Sequence, residues 1–144
     1  MPEINDLYQE PAVAGPDREV ASGGVRKSAV ALMVFVAATL AVVSPLHLAG
    51  VTGGGSKPYD PSSAGIAEAV ICAVLAAAAV AAFRNPGRAR PVAVGAVVFA
   101  IAGFLVGLSI TARGGGAFDV AYHSAILPVL IVTLILLLRP RSRA

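Results

Sequence analysis

Three ionisable residues interrupt runs that are otherwise apolar: His47, Glu68 and His123. Two imidazoles and a carboxylate are a plausible set of metal ligands. Two imidazoles at one depth on different helices are also the donors that would hold a haem iron axially. A carboxylate beside an imidazole is an acid/base pair able to handle a quinone or another small molecule. The chain has no HExxH, no CxxC and no Gly-rich phosphate loop, so no motif selects among these chemistries. The structural alternative is that Glu68 hydrogen-bonds a neighbouring helix or pairs with Arg113 or Lys57. Ser44, Ser109, Thr111 and Ser124 would add hydroxyls nearby. Cys72, one turn from Glu68, reads as a small hydrophobe rather than a ligand.

The elements that must position these residues follow from composition. The 144-residue chain is 57% hydrophobic and 13% charged, and its mean hydropathy is +0.81. Soluble domains carry about 25% charged residues, so this chain has too little polar surface to cover a globule in water. Four apolar segments, at about 28–49, 61–83, 91–112 and 120–138, make up a domain over 28–139. Each is long enough to cross a hydrocarbon core as a helix, which takes roughly 20 residues. Helices satisfy their own backbone groups in lipid, and an open chain does not. The expected fold is therefore all-α: a polytopic protein with four transmembrane helices in an antiparallel bundle. Its first partner is the lipid bilayer, and the expected location is the plasma membrane.

Orientation follows from Lys and Arg. Arg18, Arg26, Lys27, Arg84, Arg88, Arg90, Arg139, Arg141 and Arg143 fall on one side, and only Lys57 and Arg113 on the other. This asymmetry predicts that both termini are cytoplasmic. The basic residues sit at membrane borders rather than along one face, which argues against nucleic-acid binding. Residues 1–27 are acidic and rich in Pro and Gly, and read as a disordered cytoplasmic tail; 140–144 form a short basic one. Segment one is too long for the apolar core of a cleaved signal peptide.

Depth follows from the helical rise. Glu68 lies 16 residues from Arg84, and His123 lies 16 residues from Arg139. Both are then about 24 Å from the cytoplasmic border. His47, 19 residues past Ser28, lies about 28 Å up. Gly107 shares the layer and would leave room beside the three side chains. Tyr122 is placed for an interfacial aromatic belt. Asp60 and Asp119 precede segments two and four and read as N-caps before they read as ligands; Pro61 opens segment two and Pro91 segment three.

Packing signals are small residues. Gly95, Gly103 and Gly107 mark one face of segment three, and Ala69, Ala73, Ala77 and Ala81 recur at four-residue spacing in segment two. Such faces let helix backbones approach closely, either within the bundle or against a second copy or membrane partner. Pro128 removes a backbone donor from segment four, so a local kink is expected there. The external loops are too short to hold a catalytic domain.

Three stretches carry a resemblance: Gly65-Ile66-Ala67-Glu68-Ala69, Gly103 to Leu108 followed by Thr111-Ala112-Arg113-Gly114-Gly115, and Asp119-Val120-Ala121-Tyr122-His123. Together they resemble small four-helix integral membrane proteins of high-GC bacteria. The likeness covers about residues 28–138 and implies the four-helix membrane fold and no activity. The sequence therefore leads to a non-enzymatic membrane component or accessory subunit. The alternative is an outer-leaflet metal, haem or quinone site at His47, Glu68 and His123. A membrane enzyme acting on a lipid-soluble substrate is weaker still.

Overall fold

The computed structural model describes residues 17–52 and 56–139. Four helices carry the chain: α1 (Asp17–Leu48), α2 (Pro61–Arg84), α3 (Arg90–Gly114) and α4 (Ala117–Leu138). All four are long and apolar enough to cross a membrane, the span of α1 being Lys27–Leu48. Helix α1 starts before its apolar span, so it takes in 17–27 of the stretch expected to be an unstructured tail. Extending a helix that already exists costs far less than starting one. The tail residues 1–16, Gly53–Gly55 of the first loop and the basic residues Arg141 and Arg143 lie outside the described residues.

Local chemistry sets the helix ends. Helix α1 stops at Gly50, whose φ of 68° only glycine adopts without strain. The Val51 amide returns to the Leu46 carbonyl at 3.0 Å, and the Gly50 amide to that of His47 at 3.0 Å. This pair is the Schellman closure of a helix C-terminus. Asp60 caps α2 as expected, its carboxylate accepting from the amides of Ser62 and Ser63. Pro61 occupies the first turn, where no intrahelical donor is needed.

Asp119 is a correction. The N-cap of α4 is Gly116, and Asp119 stands at the third helical position. Gly116 offers no side chain to the helix, so Asp119 reaches back and its Oδ2 accepts the Gly116 amide at 3.3 Å. This is the carboxylate half of a capping box. It starts the helix at Ala117, before the boundary at 120 that the apolar run suggested. Pro128 lies inside α4 at an exposed position, and the helix continues through it.

The helices pack as a ring in which α1 and α3 each touch α2 and α4. The core holds Met33, Val36 and Leu40 of α1, Leu75 of α2, Val97 and Phe104 of α3 and Leu130 of α4. Phe35, Val42, Phe83, Val106 and Ile131 point outward and are about half exposed. An apolar exterior around an apolar core is what a bilayer demands and water does not tolerate.

The small residues divide differently from the expectation. A Cβ at Gly103 would meet Ile71 Cδ1 at 2.6 Å, and one at Gly107 would meet His123 Nε2 at 2.5 Å. Both positions are thus filled from within the chain, while Gly95 has nothing within 4 Å. On α2, Ala69, Ala73 and Ala77 are exposed, whereas Ala78, Ala79 and Ala82 are buried. The core stripe runs along a different face from the one that the four-residue spacing suggested.

Candidate functional site

The end of α1 meets the starts of α2 and α4 in a buried polar cluster. The Schellman turn ends α1 just beyond His47. The Asp60 cap places Glu68 two turns into α2. The Gly116 start places Asp119 in the first turn of α4. His47 Nδ1 lies 2.7 Å from Glu68 Oε2, and His47 Nε2 lies 2.8 Å from Asp119 Oδ1. His47 and Asp119 are each 1% exposed and Glu68 3%. One imidazole is therefore held between carboxylates from two other helices.

Proton counting constrains this triad. Each hydrogen bond needs one proton, so His47, Glu68 and Asp119 share two between them. Either the imidazolium donates to two carboxylates, or a neutral imidazole donates to one and accepts from a protonated other. Both arrangements leave one net negative charge, and an unpaired charge this deeply buried is costly. Asp119 is the better seat for it. Its other oxygen accepts the Gly116 amide, and it lies in the first turn of α4, where the helix dipole favours an anion. Glu68 has no such help: its Oε1 is buried without a partner.

His123 sits one turn on from Asp119. Its Nδ1 lies 2.8 Å from the Asp119 carbonyl, and a carbonyl can only accept, so Nδ1 carries the proton. The ring packs 5.1 Å from that of Phe104, with Nε2 turned toward Gly107. His47 and Glu68 thus meet directly, while His123 joins them through the backbone of Asp119. Glu68 pairs with His47 rather than with Arg113 or Lys57.

Tyr59 stands over the cluster. It is buried, and its ring lies 6.4 Å from that of His47, edge-on. Its hydroxyl is directed to the Asp119 carboxylate without closing a hydrogen bond to it. Burial, then the nearby Asp119 carboxylate, pushes the phenol above its usual range, so it stays a donor at any physiological pH. The first loop is fastened here too: the Ser56 amide donates to the Gly114 carbonyl at 2.8 Å. A Cβ at Gly114 would run into the Ser56 carbonyl oxygen. Close by, the Ser44 hydroxyl donates to the Gly65 carbonyl at 2.8 Å, joining α1 to α2.

Two other polar side chains of the bundle, Tyr122 and Cys72, act away from the cluster. The Tyr122 ring stacks on Phe118 and its hydroxyl lies 3.0 Å from Thr39 Oγ1. Thr39 gives its own proton to the Val36 carbonyl, so Tyr122 is the donor and ties α4 to α1. The Cys72 thiol donates to the Ala37 carbonyl at 3.2 Å.

Sequence reasoning missed Asp119 and Tyr59 as members of this site. Asp119 lies four residues before His123, which puts both on one helix face. That spacing was the available signal. No comparable signal marked Tyr59.

Chemically, a carboxylate–imidazole–carboxylate chain can hold and relay protons, and it fastens three helices. In this arrangement both His47 nitrogens are occupied by carboxylates. Among the described residues, no group of three or more His, Cys, Asp or Glu is disposed to hold a metal ion. No protein-family model matches the chain, and no curated protein or solved structure matches it.

Proposed function

We propose that this protein is a non-enzymatic, multi-pass component of the plasma membrane, acting as an accessory subunit. Its helices alternate in direction and both termini face the cytoplasm. Lys27, Arg84, Arg88, Arg90 and Arg139 at one end, against Lys57 and Arg113 at the other, support this orientation. The polar cluster then lies toward the outer face. The observation that carries the reading is that His47 gives both ring nitrogens to carboxylates on other helices. No ring nitrogen of His47 is left to activate a nucleophile or bind a metal, and the three helix ends are locked. A partner would dock on the lipid-facing surface, where Gly95 is open and Ala69, Ala73 and Ala77 are exposed. Of the glycine face Gly95, Gly103 and Gly107, only Gly95 remains free for that contact.

Affinity purification from native membranes in mild detergent tests this. A membrane partner at fixed stoichiometry and a featureless visible spectrum are expected. A lone, monodisperse chain, or one carrying haem or metal, would overturn it.

A second reading has its own observation: Glu68 Oε1 and the Tyr59 hydroxyl are buried and unpartnered in one cluster. A small molecule such as a quinone would use them without displacing His47, whereas metal or haem would have to break a His47–carboxylate bond. In this reading added quinone raises the melting temperature of the wild type and not of Tyr59→Phe or Glu68→Ala. Equal shifts in all three would exclude it.

A further inference from the structure

The opposite end of the bundle holds a groove that the polar cluster does not involve. It lies where α2 ends and α3 begins, and is an open groove of about 460 Å³. Ala77, Val80, Ala81 and Val92 form its apolar walls, and Arg84 and Arg88 are at its rim. The arginines of this end are not equivalent. Arg90 is committed to the structure: its guanidinium donates to the carbonyls of Leu137 and Leu138, the last residues of α4, and of its C-cap Arg139. Among the described residues, Arg84 and Arg88 have no such employment. Among the described residues, no carboxylate pairs with either; the ion pairs present belong to His47.

We propose that this groove is a binding site for one anionic phospholipid, with the phosphate on Arg84 and Arg88 and an acyl chain along Ala77, Val80, Ala81 and Val92. The occupant follows from charge and position. The groove opens on the apolar exterior of the bundle, where lipid is the surrounding medium, and its polar rim lies at the helix ends, at headgroup level. Two cations at the mouth of an apolar slot complement an anionic head on an apolar chain. Basic pockets between transmembrane helices recognise lipid headgroups in this way. A guanidinium offers paired donors to phosphate oxygens, which a diffuse surface charge does not. The site is independent of the polar cluster; with the accessory-subunit reading it shares only Ala77, at the edge of the surface proposed for a partner.

The experiment is native mass spectrometry of the full chain in detergent. Phosphatidylglycerol and phosphatidylcholine of identical acyl chains are titrated in separately. The wild type is expected to retain one phosphatidylglycerol in preference to phosphatidylcholine. Arg84→Gln with Arg88→Gln should weaken that binding roughly thirtyfold, taking each arginine's surface contribution as additive. Ala77→Phe leaves both charges and fills the slot from an exposed position, and should weaken it comparably. Arg139→Gln, at the same end but outside the groove, should change it less than about twofold. An Arg139→Gln loss equal to that of Arg84→Gln or Arg88→Gln alone, about fivefold if contributions are additive, would show diffuse attraction and overturn the site. So would unchanged binding in Ala77→Phe, or equal affinity for the two lipids. A melting curve for each variant separates lost binding from lost fold.

Discussion

The two ends of the bundle solve the same problem by opposite means. At one end, α1, α2 and α4 are joined by side chains buried among themselves: His47 between Glu68 and Asp119, with Ser44 on the Gly65 carbonyl. At the other, α3 and α4 are joined by an exposed arginine, Arg90, that satisfies the last carbonyls of α4. The first depends on exact partners out of water. The second uses a long, snorkelling cation that water and headgroups can replace. Disturbing the polar end should therefore be costly and specific, and disturbing the basic end mild.

The largest effect is expected from His47→Ala. It removes two interhelical hydrogen bonds and leaves two carboxylates facing a gap. Interhelical bonds in membranes average only about 0.6 kcal/mol, with a maximum near 1.7, but orphaned buried charges add several more. A loss of about 3 kcal/mol, measured by unfolding in detergent, is the expected outcome. A change below about 0.5 kcal/mol would mean that the cluster is open to water.

Glycine substitutions sharpen the contrast. Gly107→Ala drives a methyl into His123 Nε2, on a ring fixed by the Asp119 carbonyl and by Phe104. Overpacking of this kind costs about 1–3 kcal/mol. Gly95→Ala meets nothing and should stabilise by about 0.5–1 kcal/mol, the gain from replacing a mid-helix glycine. Melting temperatures that move the same way in both would break the inside/outside assignment of α3.

Arg90→Gln should cost about 1 kcal/mol, because its bonds to carbonyls are charge-assisted but exposed. The smallest effect is expected at Asp60, whose carboxyl is held below its usual value, chiefly by the Ser63 hydroxyl and then by the Ser63 amide. A lowered folded-state value means the cap's contribution is complete above the unfolded-state value, about 3.9. It fades as pH falls through the folded-state value. The acid drop in melting temperature should be shallower in Asp60→Asn, which keeps a capping oxygen and does not titrate there. A drop of the same steepness would place the acid sensitivity elsewhere.

Much of this was legible because helical rise converts sequence into depth. His47 and Glu68 were expected in one layer, and they touch. Depth says nothing about rotation, and the errors lie there. Every face of α2 carries alanine, so the spacing of Ala69, Ala73 and Ala77 could not show that Ala78, Ala79 and Ala82 face inward. Asp119 precedes an apolar run as a cap does, and only Gly116 taking the cap position frees its Oδ1 for His47. The basic rim of the groove was visible as orienting charge. That Arg90 is occupied while Arg84 and Arg88 are not depends on where α4 ends, which the sequence does not state.

The central claim is that His47 is bound on both sides, to Glu68 and to Asp119. Two double-mutant cycles test it most directly, one pairing His47→Gln with Glu68→Gln and the other with Asp119→Asn, each followed by unfolding in detergent. The expected coupling is roughly 1–3 kcal/mol in each cycle, the range for residues sharing a buried network. Additive effects in either cycle would show that His47 is not held between those two carboxylates.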